Sequence, residues 1–491
     1  MVLNYKYLKM KYFFSLATIM LLALTVSSCQ PEEENPRGGE TEAPVLVSSD
    51  PEDGATGIVG DAIDLTMVFD RNVMCPTAQR ELITVDNDAV IDGIEAYMTE
   101  VTVSLSGLDA GQTYTVTFPE GTITGYSDNA AAEIRITFST REEQSLEDQE
   151  ISENLVTEDA IPAAERLYDY LRSIYGSQTL SGAMANVAWN TDEAEWVNRF
   201  TGKYPAIAFF DYIHLASSPV NWIDYGDITP VLDWWNAGGL VGAGWHWNVP
   251  VSEGSTDMTF STAIESADGT IVQNTFSAAN AVVEGTWENE VINADLEKIA
   301  DYLMLLQNEG IPVLWRPLHE AAGNTYTYNT GAWFWWGADG AQAYKDLWIY
   351  VFDYFREAGL RNLIWVWTTQ TSTASDADFD FYPGDGYVDI IGKDIYNDTD
   401  VSSLSSQFST VISYSTHKMV TLSELGNVAD MASQWNAGAQ WLYFMPWYDF
   451  DLGEAGYDSE EHSNADISWW EAAFASDAVI TRDELPAGLH Q

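Results

Sequence analysis

Basic residues are scarce in this chain. Its 491 residues set only 20 Lys and Arg against 75 Asp and Glu, a formal net charge of −55. So acidic a surface repels phosphates, which argues against nucleic acid and anionic membrane surfaces as partners. The charge fits an exported protein that must stay soluble and a neutral or cationic substrate; it is equally consistent with a solubility trait alone. Cysteine is scarcer still, with Cys29 and Cys75 only, so no disulfide framework can hold the fold. There is no Gly-rich phosphate loop, no Cys–His cluster and no repeat of fixed period. Asp449-Phe450-Asp451 lacks the spacing and distal Glu of a calcium loop. Apolar residues (46%) and aromatics (13%) are plentiful enough for a large core.

Lys6, Lys9 and Lys11 precede an apolar run, Tyr12 to Val26, which closes on Thr25-Val26-Ser27-Ser28-Cys29. Residues 1–29 resemble a bacterial lipoprotein signal, which implies cleavage before Cys29 and a lipid on that cysteine. The alternative is an ordinary secretory signal with an incidental cysteine. Gln30-Pro31-Glu32-Glu33-Glu34 resembles the export signal of surface lipoproteins in Bacteroides-like bacteria. The resemblance implies an exported protein, lipid-anchored at the outer membrane or cell surface of a Gram-negative bacterium, with that anchor its only membrane contact. The apolar run is shorter than the ~20 residues of a spanning helix. With Cys29 lipidated, Cys75 has no partner within the chain.

Residues 30–42 are rich in Pro, Glu and Gly and read as an acidic tether. Over residues 43–140 the pattern changes to period-two segments: Leu65–Phe69, Val101–Leu105, Tyr114–Phe118 and Ile134–Phe138. A small all-β sandwich fits them. Ser49-Asp50-Pro51-Glu52-Asp53-Gly54, together with Phe69-Asp70-Arg71-Asn72-Val73, resembles bacterial Ig-like modules. No catalytic constellation lies there, so a spacer is expected, with glycan binding as the alternative. Residues 141–155 form an acidic linker.

From residue 156 to 491, short apolar runs alternate with amphipathic stretches such as Ala294–Gln307 and Gln342–Glu357. The runs lie at Thr179–Ala183, Ala206–Tyr212, Leu240–Asn248, Ile311–Glu320, Leu363–Thr369, Val388–Tyr396, Lys418–Leu425 and Trp441–Trp447. Eight runs alternating with helices predict a (β/α)8 TIM barrel. Several end in polar or aromatic groups: Trp245-His246-Trp247-Asn248, Arg316 with His319-Glu320, Trp367-Thr368, Asp394 and Tyr396, Ser423-Glu424, and Trp447. In a parallel barrel these ends share one face, where active sites sit. Glu320 and Glu424 are the pair of carboxylates that glycoside cleavage needs, one as acid and one on the far side of the sugar carbon. Tyr396 and Arg316 are candidates to keep a nucleophile charged. The aromatic run Trp333-Phe334-Trp335-Trp336-Gly337 can offer π-faces to sugar C–H faces.

Trp315-Arg316-Pro317-Leu318-His319-Glu320, the Trp333–Gly337 run, Ile364-Trp365-Val366-Trp367, Tyr382-Pro383-Gly384-Asp385, Gly392-Lys393-Asp394-Ile395-Tyr396 and Ser423-Glu424-Leu425-Gly426 occur in that order. The ordered set, over about residues 160–485, resembles glycoside hydrolase family 26, best known for endo-β-1,4-mannanases. The resemblance implies a clan A barrel and a retaining mechanism, with Glu320 as acid/base and Glu424 as nucleophile. It implies that His319 helps read the sugar's 2-hydroxyl region and that Tyr396 bonds the nucleophile. His246, beside Trp245, would contact a sugar on the non-reducing side, and Trp333 and Trp447 would stack on sugars. A lengthened loop, Ala321 to Ala332, is expected to reshape the leaving-group subsites.

The reading is a retaining endo-β-1,4-mannanase acting on mannan, glucomannan or galactomannan as polysaccharide or oligosaccharide. No cofactor or metal is expected, and a monomer is the default. The alternatives are the same machinery on xylan or mixed-linkage glucan, or a non-catalytic surface glycan-binding lipoprotein.

Overall fold

The computed structural model describes residues 42–491, apart from 59–61, 128, 143, 186, 221–222, 266–267, 324–331 and 371–376. The expected signal, most of the tether and the lipidation site Cys29 lie outside the described residues. No helix among the described residues is long and apolar enough to cross a membrane.

Two four-stranded sheets make the N-terminal sandwich. One orders Leu46–Asp50, Ala62–Phe69, Glu100–Ser106 and Val90–Tyr97; the other orders Ala55–Ile58, Ile134–Thr140, Thr113–Phe118 and Thr84–Val85. Strict alternation lets each strand bury one face. Leu65, Met67 and Phe69 meet Val101, Val103 and Leu105 within the first sheet and pack with Tyr114, Val116, Phe118, Ile136 and Phe138 of the second. Cys75 is a buried free thiol.

Eight parallel strands then close into a barrel: β1 (Thr179–Met184), β2 (Ile207–Asp211), β3 (Leu240–Trp245), β4 (Val313–Pro317), β5 (Leu363–Gln370), β6 (Ile390–Tyr396), β7 (Met419–Gly426) and β8 (Tyr443–Pro446). Each pairs with the next, and β1 pairs with both β8 and β2. The strands read as continuous apolar runs because both faces are covered, one by the barrel interior and one by helices. Helices such as Trp287–Asn308 and Ala341–Glu357 bury their apolar stripes on the strands, through Leu296, Ile299 and Leu303 and through Leu347, Val351 and Phe355.

Between β5 and β6 the α-helix among the described residues is short, Ala377–Asp380. The acidic segment expected to be a linker lies against the barrel beside it. Glu150 N–H donates to Thr416 O (2.8 Å) and Ser152 N–H to His417 O (3.0 Å), and just beyond the segment Val156 N–H donates to Asp389 Oδ1 (2.8 Å). Its acidity keeps the outer side solvated while its backbone satisfies barrel groups that a helix would otherwise shield.

Candidate active site

Strand parity decides what faces the barrel axis, because successive side chains point to opposite sides. On β4 the inward position near the C-terminal end is Arg316, which is 2% exposed. Its Nη2 donates to Glu424 Oε2 on β7 (2.9 Å) and to Asp394 on β6, while its Nε donates to Thr368 Oγ1 on β5 (3.1 Å). Ser423 Oγ donates to the other Asp394 oxygen (2.8 Å) and lies 3.2 Å from Thr368 Oγ1. Tyr396 donates its hydroxyl to Glu424 Oε1. This belt can form because residue 392 is glycine. A Cβ there would come within 2.4 Å of Ser423 Oγ and 2.6 Å of Thr368 Oγ1.

Glu320 reaches the belt from the loop after β4. Leu318 and Glu320 adopt left-handed φ values of 50° and 53°, a costly conformation for non-glycine residues that tends to occur at functional sites. Glu320 N–H donates to Thr368 O (3.0 Å), which ties the loop to β5. Trp336 Nε1 donates to His319 O (2.8 Å) and Tyr344 Oη to Leu318 O (2.9 Å), so the aromatic run braces the same turn.

Oxygens of Glu320, Asp394 and Glu424 lie within 4.8 Å of one another. Three carboxylates therefore face one guanidinium. Burial, then the Asp394 and Glu424 charges, push the Glu320 carboxyl well above its ordinary value. Burial also raises Asp394, to about 7, against the pull of Arg316. The two titrate together, and the proton belongs on Glu320, because Asp394 has a direct bond from Arg316 and Glu320 has none. Glu424 accepts a hydrogen bond on each oxygen, from Arg316 and from Tyr396. Burial and the Glu424 charge hold the Tyr396 hydroxyl far above its ordinary value, so it stays a donor. The three carboxylates could also hold a cation, but Arg316 already bonds two of them.

The sugar-binding candidates separate. His246 and His319 meet edge to face, with ring centroids 4.4 Å apart, and Trp447 lies 5.5 Å from His246. Burial, then Arg316 and His246, hold the His319 ring well below its ordinary value, so it is neutral. Trp333 is 36% exposed and lies across Gly323, where a Cβ would come within 2.0 Å of its indole. Of the lengthened loop, residues 324–331 lie outside the described residues; its two ends meet where Trp333 N–H donates to Gly323 O (3.2 Å).

Trp245 does not join the site. It is 1% exposed, stacks on Trp247 at 3.9 Å and turns with Trp315 toward the helices, because His246 takes the inward position. Sequence reasoning missed Asp211, whose Oδ2 lies 2.5 Å from His246 Nδ1, although an Asp closing the apolar run Ile207–Phe210 was a visible signal. It also missed the excursion after β3. There Phe260 O accepts from Trp335 N–H (3.1 Å), and Thr262 N–H donates to Trp333 O (3.0 Å). Phe260 also packs against His246.

With this arrangement in view, the profile of glycosyl hydrolase family 26 matches residues 156–484. The chain belongs to that family. Residues 40–140 match a bacterial Ig-like domain. Among family 26 relatives, a mannan endo-1,4-beta-mannosidase B of Piromyces sp is 33% identical over 348 residues, covering 69% of this chain and 54% of that protein. A mannan endo-1,4-beta-mannosidase of Thermothelomyces thermophilus is 32% identical over 348 residues, covering 69% and 64%. The chain thus spans about half the length of the Piromyces relatives it matches. The solved family 26 domain of a Prevotella bryantii endo-beta-mannanase/endo-beta-glucanase is 43% identical, with a TM-score of 0.60, over 68% of this chain and 99% of that one. A beta-mannanase from a symbiotic protist of the termite Reticulitermes speratus, solved with a gluco-manno-oligosaccharide, is 32% identical, with a TM-score of 0.57, over 69% and 99%.

Proposed function

We propose that this chain is a retaining endo-β-1,4-mannanase that cuts internal bonds of mannan, glucomannan or galactomannan. The observation that carries the mechanism is the unequal pair of glutamates. One oxygen of each lies within 4.8 Å of the other's, which fits the carboxyl pair of a retaining glycosidase, ~5–5.5 Å apart, better than the ~6.5–9.5 Å pair of an inverting one. Burial and neighbouring charge raise the Glu320 carboxyl well above its ordinary value, as an acid needs, while Glu424 accepts hydrogen bonds from Arg316 and Tyr396.

In the first step Glu424 attacks the anomeric carbon while Glu320 gives its proton to the leaving glycosidic oxygen. In the second, Glu320, now a carboxylate, takes a proton from water, which attacks the same carbon and releases Glu424. Arg316 and Tyr396 stabilise the Glu424 charge before attack and again as it leaves. Trp333, Trp447, His246 and His319 offer stacking faces and polar edges for the sugars. The named activities of the relatives, and the gluco-manno-oligosaccharide bound to one of them, support mannan over other β-glycans.

The test is product analysis on mannan, galactomannan, xylan and mixed-linkage glucan, with the anomer of the first product read by NMR. Manno-oligosaccharides of retained configuration, absent with Glu320→Ala and Glu424→Ala, are expected. Release from xylan or glucan alone would refute the substrate, and inverted product would refute the mechanism. We further propose export and lipid anchoring through Cys29; loss of labelled palmitate incorporation in Cys29→Ser checks it.

A further inference from the structure

The pair Asp211–His246 has a polarity that the proposed mechanism does not use. Asp211 closes β2 and is 2% exposed. Its Oδ1 accepts the His246 backbone N–H at 3.1 Å, and its Oδ2 lies 2.5 Å from His246 Nδ1. An ionised carboxylate only accepts hydrogen bonds, so the ring nitrogen facing it must carry the hydrogen. A ring whose one hydrogen sits on Nδ1 has its lone pair at Nε2. Gly244 precedes His246 on the same inward face and lies beside Asp211 Oδ2, at ordinary van der Waals distance from where a Cβ would sit. Phe260, Phe334, His319 and Trp447 pack around the imidazole. None of these contacts is a hydrogen bond to Nε2.

We infer that Asp211 is a positioning residue that fixes the proton of His246 on Nδ1, so that Nε2 is presented to the substrate as an acceptor for a sugar hydroxyl. The inference rests on reading the site as one that binds sugars. A ring free to choose its tautomer would split between donor and acceptor forms and lose part of its binding energy. The locked ring accepts only, which demands a hydroxyl that donates.

Selective nitrogen-15 labelling of the six histidines reads the tautomer directly, with His246→Gln used to assign the signals. At neutral pH the wild-type protein is expected to show a protonated Nδ1 and a bare Nε2 at His246. Asp211→Asn keeps an amide oxygen for the backbone N–H and turns an NH2 toward Nδ1, so the proton is expected on Nε2. KM for manno-oligosaccharides should then rise about tenfold, with kcat changed less than about threefold. A wild-type ring protonated at Nε2, an Asp211→Asn spectrum like wild type, or a reversed tautomer with unchanged KM overturns the inference. If Asp211→Asn fails to fold, the wild-type spectrum alone still decides the tautomer. The spectrum needs no turnover, so a protein inactive on every mannan would refute the proposed activity without touching this result.

Discussion

Replacing Asp394 by asparagine removes one negative charge beside Glu320 with little change in shape. The two carboxyls lie within 4.8 Å and are hydrogen-bonded to each other. Two unit charges at that separation, with an effective dielectric of about 20, repel by about 3.5 kcal/mol, or about 2.5 pKa units. Part of that is returned because Arg316, freed of Asp394, leans further toward Glu424. A net fall of about one to two units is expected for Glu320. The sign is fixed: a lost like charge favours the ionised form, so Glu320 gives up its proton at lower pH. The alkaline limb of kcat/KM reports the acid in the free enzyme and should move down by that amount. The assay is a pH profile on an unactivated manno-oligosaccharide, repeated on an aryl mannoside whose leaving group needs little protonation. The limb should shift with the first substrate and matter less with the second. An alkaline limb that stays in place or moves up would refute the shared-proton account of the site.

Four other outcomes follow from the same geometry. Tyr396→Phe removes one donor from Glu424 and should lower kcat about 10–100-fold with unchanged circular dichroism; near-wild-type kcat would sink its role. Gly392→Ala puts a Cβ within 2.4 Å of Ser423 Oγ, so kcat/KM should fall more than about tenfold and thermal melting should show a lower Tm. Glu320 has a raised carboxyl value, so its contribution to stability is present at low pH and lost as pH rises through the folded value. Glu320→Gln should therefore melt about 1–3 °C above wild type at the alkaline end, and identical pH–Tm curves would contradict that. Gly323→Ala would meet the Trp333 indole at 2.0 Å and should raise KM more than it lowers kcat, read from initial rates on manno-oligosaccharides.

The barrel was legible in the sequence because each strand is an apolar run buried on both sides, and the runs end where the polar residues begin. Arg316, Glu320, Asp394, Tyr396 and Glu424 could be grouped for that reason. Trp245 was misplaced because nearness in sequence was taken for a shared face. Once His246 points inward, its neighbour must point out, and the parity of Gly242, Gly244 and His246 was there to count. Other features left no local trace. The segment 146–157 has neither period two nor 3.6, and it is held by hydrogen bonds to distant groups such as Thr416 O, Leu363 O and Asp389 Oδ1 and by packing of Leu146, Ile151, Leu155 and Val156 on the barrel core. His462 stands in no motif of the sequence. It is buried against Glu193 at 3.1 Å, 269 positions away, and its Nδ1 accepts the N–H groups of Asn464 and Ala465. Through Asn464, which donates to Trp447 O (3.1 Å), that pair holds the loop carrying Trp447.

What the sequence could not display is the imbalance of charge. Arg316, Asp394 and Glu424 read singly are ordinary strand-end residues, and an arginine with one buried carboxylate would be a complete ion pair. The folded site buries a second carboxylate against the same guanidinium and sets a third, half-buried, beside both. Stability alone does not favour that, because each further buried charge adds a desolvation cost that a single cation cannot offset. The excess is relieved by keeping one proton in the cluster, and the structure directs it to the carboxyl farthest from Arg316's donors. A cluster that must hold one proton, and can lose it while its neighbours stay charged, is the electrostatic device an acid/base needs. The strained turn at Leu318 and Glu320 adds a second local cost at the same place. Two unrelated penalties on the residue that carries the proton are hard to explain by packing and follow directly from chemistry at Glu320.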